Sequence, residues 1–287
     1  MSHFAVLVIG NNPDEQLAPY HEFESTGVDD QYVKDIDITA QINSSIDKGD
    51  AIDLNEALYN EDLEDLIVQD EREIDKTNRH KYGYAIVKDD KLIRAVKRTN
   101  PNSKWDWYML GGRWRSYFLL KNGETAPIAL KKNIDFNTVI TEERSEADYN
   151  YTLFQSFLSR HNLEFPKTWA ACRKEYKNIN DAREFYQNQP AVKLIEQDKI
   201  ISKLYPMFKC PFDYFGKSKE SFIKRKIESC FVTYAVIKDG QWYSEGEMGW
   251  FGISDDTMSQ DDWNSKFWEL VNSASDDEMF SLYDCHI

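Results

Sequence analysis

No apolar run in the 287 residues approaches the roughly 18 needed to span a bilayer, so no stretch reads as a transmembrane helix. The short run Phe4 to Ile9 has no basic leader before it and no long apolar core after it, and reads as a strand rather than a signal peptide. The four cysteines, Cys172, Cys210, Cys230 and Cys285, stand far apart and form no C-x-x-C. That usage excludes a disulfide framework or a zinc ribbon and belongs to a reducing compartment, with each thiol expected as a small buried hydrophobe. A phosphate loop is missing as well. Gly111-Gly112-Arg113 lacks the longer glycine-rich loop and the Lys-Ser/Thr ending, and aromatic residues follow it. His21, Glu22, Glu24, Asp29 and Asp30 are residue types that suit a hard metal, but no ligand spacing is recognisable, and a solvated acidic loop is expected there. Neither a metal nor a cofactor is expected.

What the chain does have is core-forming residues and charge. Its hydrophobic content of 41% and aromatic content of 14% are enough for one large domain or two smaller ones. The net charge of −15 is unevenly spread. From Asp29 to Lys76 there are 16 acidic residues against 4 basic, from Arg79 to Asn133 there are 13 basic against 4 acidic, and from Phe231 to Ile287 there are 12 acidic against 2 basic. Such segments either face one another and are solvated, or offer separate charged surfaces to partners and to self-association.

The pattern predicts an α+β protein with a mostly antiparallel sheet built from N-terminal, central and C-terminal strands, and a helical subdomain inserted into it. The sheet domain is assigned to residues 1–140 and 230–287 and the insertion to 141–229. Ser2 to Ile9, apolar on both faces, predicts a central strand. Asp53 to Lys76 predicts one helix, with Asp53 as N-cap, Glu56 three residues on, and an apolar stripe of Leu54, Leu58, Leu66, Ile67 and Ile74. Tyr84–Lys88 and Leu92–Lys97 read as a hairpin, and so do Phe231–Lys238 and Gln241–Ser244 around Asp239-Gly240. Helices are predicted from Thr141 with Ala147, Tyr151, Phe154 and Leu158 on one face, after Pro166, over Val192–Leu204, Ser218–Ser229 and Ser259–Val271. Met279 to Ile287 reads as a final strand.

Alternation over Trp105 to Leu110 puts Trp105, Trp107 and Met109 on one face. Trp105, Trp107, Trp114, Trp263 and Phe267 are therefore assigned to the structural core, although tryptophans among cations can also stack bases of single-stranded nucleic acid. Cys285-His286 raises a nucleophile reading, for an enzyme acting on a nucleotide or protein substrate. Neighbouring residues on a strand point to opposite faces, however, which places His286 poorly to activate Cys285. No residue is assigned a catalytic role.

Three groups of stretches carry a resemblance: SHFAVLVIGNN with LAPYHEFESTGVDDQYV, KYGYAIV with TNPNSKWDWYMLGGRW, and TYAVIKDGQWYSEGEMGWFG with DCHI. Together they resemble a set of bacteriophage and prophage proteins similar to anti-defence inhibitors of the Gabija system. The resemblance implies a non-enzymatic inhibitor in the host cytoplasm that binds the Gabija nuclease–helicase as a multimeric shell and keeps it from engaging DNA. The partners expected are thus a host defence complex and further copies of this chain, with no direct nucleic acid and no membrane. The charge pattern suggests the contact residues: Asp62, Asp65, Asp70, Glu73, Asp255 and Asp256 from the acidic segments, and Lys104 and Arg113 from the turn side of the basic one.

Overall fold

A computed structural model describes residues 2–22, 31–248 and 254–287. The strands are β1 (His3–Ile9), β2 (Lys34–Asp37), β3 (Ile67–Val68), β4 (Gly83–Lys88), β5 (Lys91–Thr99), β6 (Trp107–Leu110), β7 (Phe118–Leu119), β8 (Thr125–Ala126), β9 (Ile128–Leu130), β10 (Ala235–Lys238), β11 (Gln241–Ser244), β12 (Gly246–Met248), β13 (Ser254–Asp256) and β14 (Met279–His286). The helices are α1 (Pro13–Leu17), α2 (Thr39–Lys48), α3 (Leu54–Tyr59), α4 (Phe136–Arg160), α5 (Trp169–Glu175), α6 (Ile179–Asn188), α7 (Pro190–Gln197), α8 (Pro211–Phe215), α9 (Lys219–Ser229) and α10 (Gln260–Ser273). The chain divides into two compact units. A sheet unit holds Met1–Arg115, Tyr234–Thr257 and Met279–Ile287, and a helical unit holds Ser116–Thr233 and Met258–Glu278.

The fold is α+β, and its sheets are mixed rather than purely antiparallel. In the sheet unit β11, β10, β1, β14 and β6 lie side by side in that order, with β1 parallel to β10 and antiparallel to β14. β1 is central because Val6, Leu7, Val8 and Ile9 are apolar in succession and all are buried. The central hairpin β4–β5 does not join this sheet. It forms a second one, ordered β2-β5-β4-β3, in which β3 runs parallel to β4. Only β6 carries the tryptophan stretch into the first sheet, against β14.

The single helix expected over Asp53–Lys76 is not formed. The cap is there, since Asp53 Oδ1 accepts the Glu56 N–H at 3.0 Å, but α3 ends at Tyr59 and Asp62 sits at φ 57°. Glu61/Asp65 and Glu71/Asp75 would be like-charge pairs at i, i+4 in a continued helix. The β-branched pair Ile67-Val68 instead extends and docks beside Ala85 and Ile86.

In the helical unit the predicted faces are those that are buried. Ala147, Tyr151 and Phe154 of α4 lie in one core with Phe157, Phe212, Phe215 and Phe222, and the rings of Phe154 and Phe215 stack at 4.3 Å. α4 begins before Thr141 because Asp135 caps it, accepting the Thr138 N–H at 3.0 Å. Trp263 and Phe267 of α10 are buried as expected, with Trp263 Nε1 donating to the Thr233 carbonyl at 2.9 Å. Among the described residues no helix is long and apolar enough to cross a membrane.

Candidate functional site

Much of the sequence-level charge separation is undone in space. β2, from the acidic segment, pairs with β5, from the basic one. Asp35 meets Arg98 at 2.8 Å and also bonds Lys76, Asp37 meets Arg94 at 3.3 Å, and Glu61 meets Lys97 at 3.3 Å. Asp70 is also engaged. Arg72 grips it through Nε and Nη2 at 3.0 and 2.8 Å, and these bonds, with the Arg72 backbone N–H, push its carboxyl down to about 2. Asp62, Asp65 and Glu73 remain exposed on the surface. Arg79 reaches the Asp65 backbone carbonyl, at 2.6 Å.

The same acidic segment exposes two large apolar side chains, Ile52 at 89% and Tyr59 at 65%. The α3 cap explains their position. Glu56 turns back to accept the Ile52 N–H at 2.5 Å, which fixes Ile52 just ahead of the helix while Tyr59 ends it. Ile52, Asp53, Asn55, Glu56, Tyr59 and Glu64 line an open groove of about 490 Å³. The lining thus combines two exposed apolar side chains with the carboxylates of Asp53, Glu56 and Glu64.

The remaining expected contact residues belong elsewhere in the sheet unit. Lys104 is half-buried in the loop before β6, its N–H on the Tyr20 carbonyl at 2.7 Å. Arg113 is exposed in the 3-10 turn after β6, its N–H on Asp284 Oδ2 at 3.0 Å. Asp255 and Asp256 lie in β13, opposite Glu247 and Gly246 of β12. The core assignment needs correcting at Trp107, which is 46% exposed. The chain bends at Asp106 before β6 begins, so alternation does not carry through from Trp105. Trp105 is buried against Tyr108 at 4.7 Å, while Trp107 and Met109 face outward. Trp114 is half-buried.

No protein-family model, curated protein or solved structure matches this chain.

A second cluster was not legible in the sequence. Strand register sets His3 opposite His286, and His286 opposite Trp107. His3 Nδ1 meets Asp284 Oδ1 at 2.8 Å, and His286 Nδ1 meets Asp106 Oδ1 at 2.7 Å. The two imidazoles lie 5.0 Å apart, edge to face. His21, its ring tilted against Trp105 at 4.5 Å, bonds the Asp106 carbonyl through Nε2 at 2.9 Å. A carboxylate on Nδ1 fixes the orientation of each ring. Alternation alone puts Asp284 and His286 on one face, but it cannot supply His3, 281 residues away. Cys285 points to the opposite face, into the core with Phe4 and Tyr283, and burial pushes its thiol far up. Of the residue types in the His21 loop that suit a hard metal, Glu24, Asp29 and Asp30 lie outside the described residues. Among those described, no group of three or more His, Cys, Asp or Glu is arranged to hold a metal.

Proposed function

We propose that this protein is a non-enzymatic, phage-encoded inhibitor that binds a host anti-phage defence complex, the Gabija nuclease–helicase, and blocks its engagement of DNA, acting in the host cytoplasm as a homo-oligomer. The observation that carries the reading is the Ile52–Tyr59 groove with its lining carboxylates. A DNA-binding enzyme presents Lys and Arg where phosphates bind. Acidic lining residues steer toward such a surface, and an aromatic residue and an aliphatic one give the contact its anchors. Asp62, Asp65 and Glu73 extend the anionic surface on the same segment.

The test is co-purification with Gabija proteins, together with their DNA cleavage, for the native chain and for Ile52→Ala/Tyr59→Ala. Binding and loss of cleavage are expected for the native chain. The double variant should bind about tenfold or more weakly, because both side chains are surface-exposed and their truncation leaves the core intact. Absence of binding at about micromolar concentration defeats the reading.

Trp107 favours one second reading. Its exposed ring, with the His3 imidazole edge-on at 6.3 Å, is the kind of surface on which single-stranded bases stack. That reading requires salt-dependent oligonucleotide binding that Trp107→Ala abolishes.

A further inference from the structure

His3 and His286 face each other across β1 and β14. The flanking residues Ser2 and Ile287 exchange both backbone hydrogen bonds, at 3.0 and 3.1 Å. The histidines are therefore a non-hydrogen-bonded pair of the ladder, the kind in which facing side chains lie closest. Their ring centres are 5.0 Å apart. Two imidazoles on one zinc ion, with bonds of about 2.1 Å at a tetrahedral angle, have ring centres roughly 5 Å apart as well.

The surroundings equip both rings for a metal. A metal-binding histidine almost always donates its other ring N–H to a carboxylate, a backbone carbonyl or water, which sets its tautomer and orientation. Each of these has such a partner: Asp284 Oδ1 lies 2.8 Å from His3 Nδ1, and Asp106 Oδ1 lies 2.7 Å from His286 Nδ1. A carboxylate accepts, so Nδ1 supplies the proton of each bond, and the lone pair of the neutral ring is on Nε2. Neither Nε2 is hydrogen-bonded within the described residues, and neither is sealed from solvent. The His3 and His286 side chains are 20% and 13% exposed, so an ion can reach them.

We propose that His3 and His286 bind a divalent transition metal of the zinc type through their Nε2 atoms, with Asp284 and Asp106 as the outer carboxylates. Imidazole suits such ions, whereas magnesium and calcium take oxygen ligands. Two protein ligands are fewer than the four of a structural zinc site, and water completes the shell. The ion ties β1 to β14. The site uses none of the residues of the Ile52–Tyr59 groove.

Isothermal titration of the full chain with zinc chloride, and thermal melts with and without the metal, test this. One saturable site is expected, with a raised Tm. His3→Ala and His286→Ala should each abolish both. Asp106→Asn, an exposed substitution that keeps both ligands, should weaken binding about 10–100-fold. His161→Ala, an exposed histidine of the helical unit, should leave the site unchanged. Absence of saturable binding up to about 100 μM zinc, a site that persists in His286→Ala, or unchanged affinity in Asp106→Asn overturns the proposal.

Discussion

Asp284 is fixed on three sides. Its carboxylate takes the His3 ring at Oδ1 and the Arg113 N–H at Oδ2, and Gly112 closes over it. Gly112 sits at φ +46°, and a Cβ there would meet Asp284 Cβ at 2.4 Å. Gly112→Ala should therefore destabilise the protein by about 2–4 kcal/mol, read as a lower urea midpoint. Tyr186→Phe should do the reverse or nothing, raising stability by up to about 1 kcal/mol because the buried hydroxyl it deletes has only the weakly accepting Cys210 thiol to bond. Asp35 gives a pH-dependent case. Burial works to raise its carboxyl, but hydrogen bonds and charge from Lys76 and Arg98 outweigh that and hold it below its ordinary value. A depressed folded value means the stabilisation is present above the unfolded-chain value of about 4 and is lost as pH falls through the folded value. The urea-midpoint gap between the native chain and Asp35→Asn should thus be largest at neutral pH and close in strong acid. Of these residues the sequence made none visible, because each depends on a partner brought near by register or packing.

At the scale of elements, legibility tracked how local the cause was. The hairpins are a clear success. Asp89 and Asp90 both adopt positive φ, 47° and 59°, as Asp239 and Gly240 do at 54° and 72°. The second turn has the glycine that such a geometry favours, and the first does not. Asp90→Gly should consequently stabilise the β4–β5 hairpin by about 0.5–1 kcal/mol, measured by denaturant unfolding. Capped, amphipathic helices such as α9 and α10 were equally legible, Ser218 and Ser259 acting as their N-caps. The acidic stretch after Asp53 was not, since its apolar stripe also fits a short helix followed by an extended Ile67-Val68, and pairing with β4 decides between them. Trp107 shows the same limit, because one bend at Asp106 inverts every face assigned by alternation from Trp105.

For the whole molecule, the sequence made the α+β class and the charge segments legible, but not which charges survive folding. Asp35, Asp37 and Glu61 are matched by cations of β5, and Asp70 by Arg72, so counting acidic residues overstates the anionic surface. What remains is smaller and more specific: Ile52 and Tyr59 exposed in a groove that carboxylates also line. Their exposure could not be foreseen, since Leu58, beside Tyr59 in the same helix, is fully buried. The most direct measurement is DNA cleavage by the Gabija nuclease–helicase with this protein added in excess, alongside its Ile52→Ala/Tyr59→Ala variant. Suppressed cleavage with the native chain and restored cleavage with the variant is the expected result. Undiminished cleavage at about micromolar native protein, or equal suppression by the variant, would contradict inhibition through this groove.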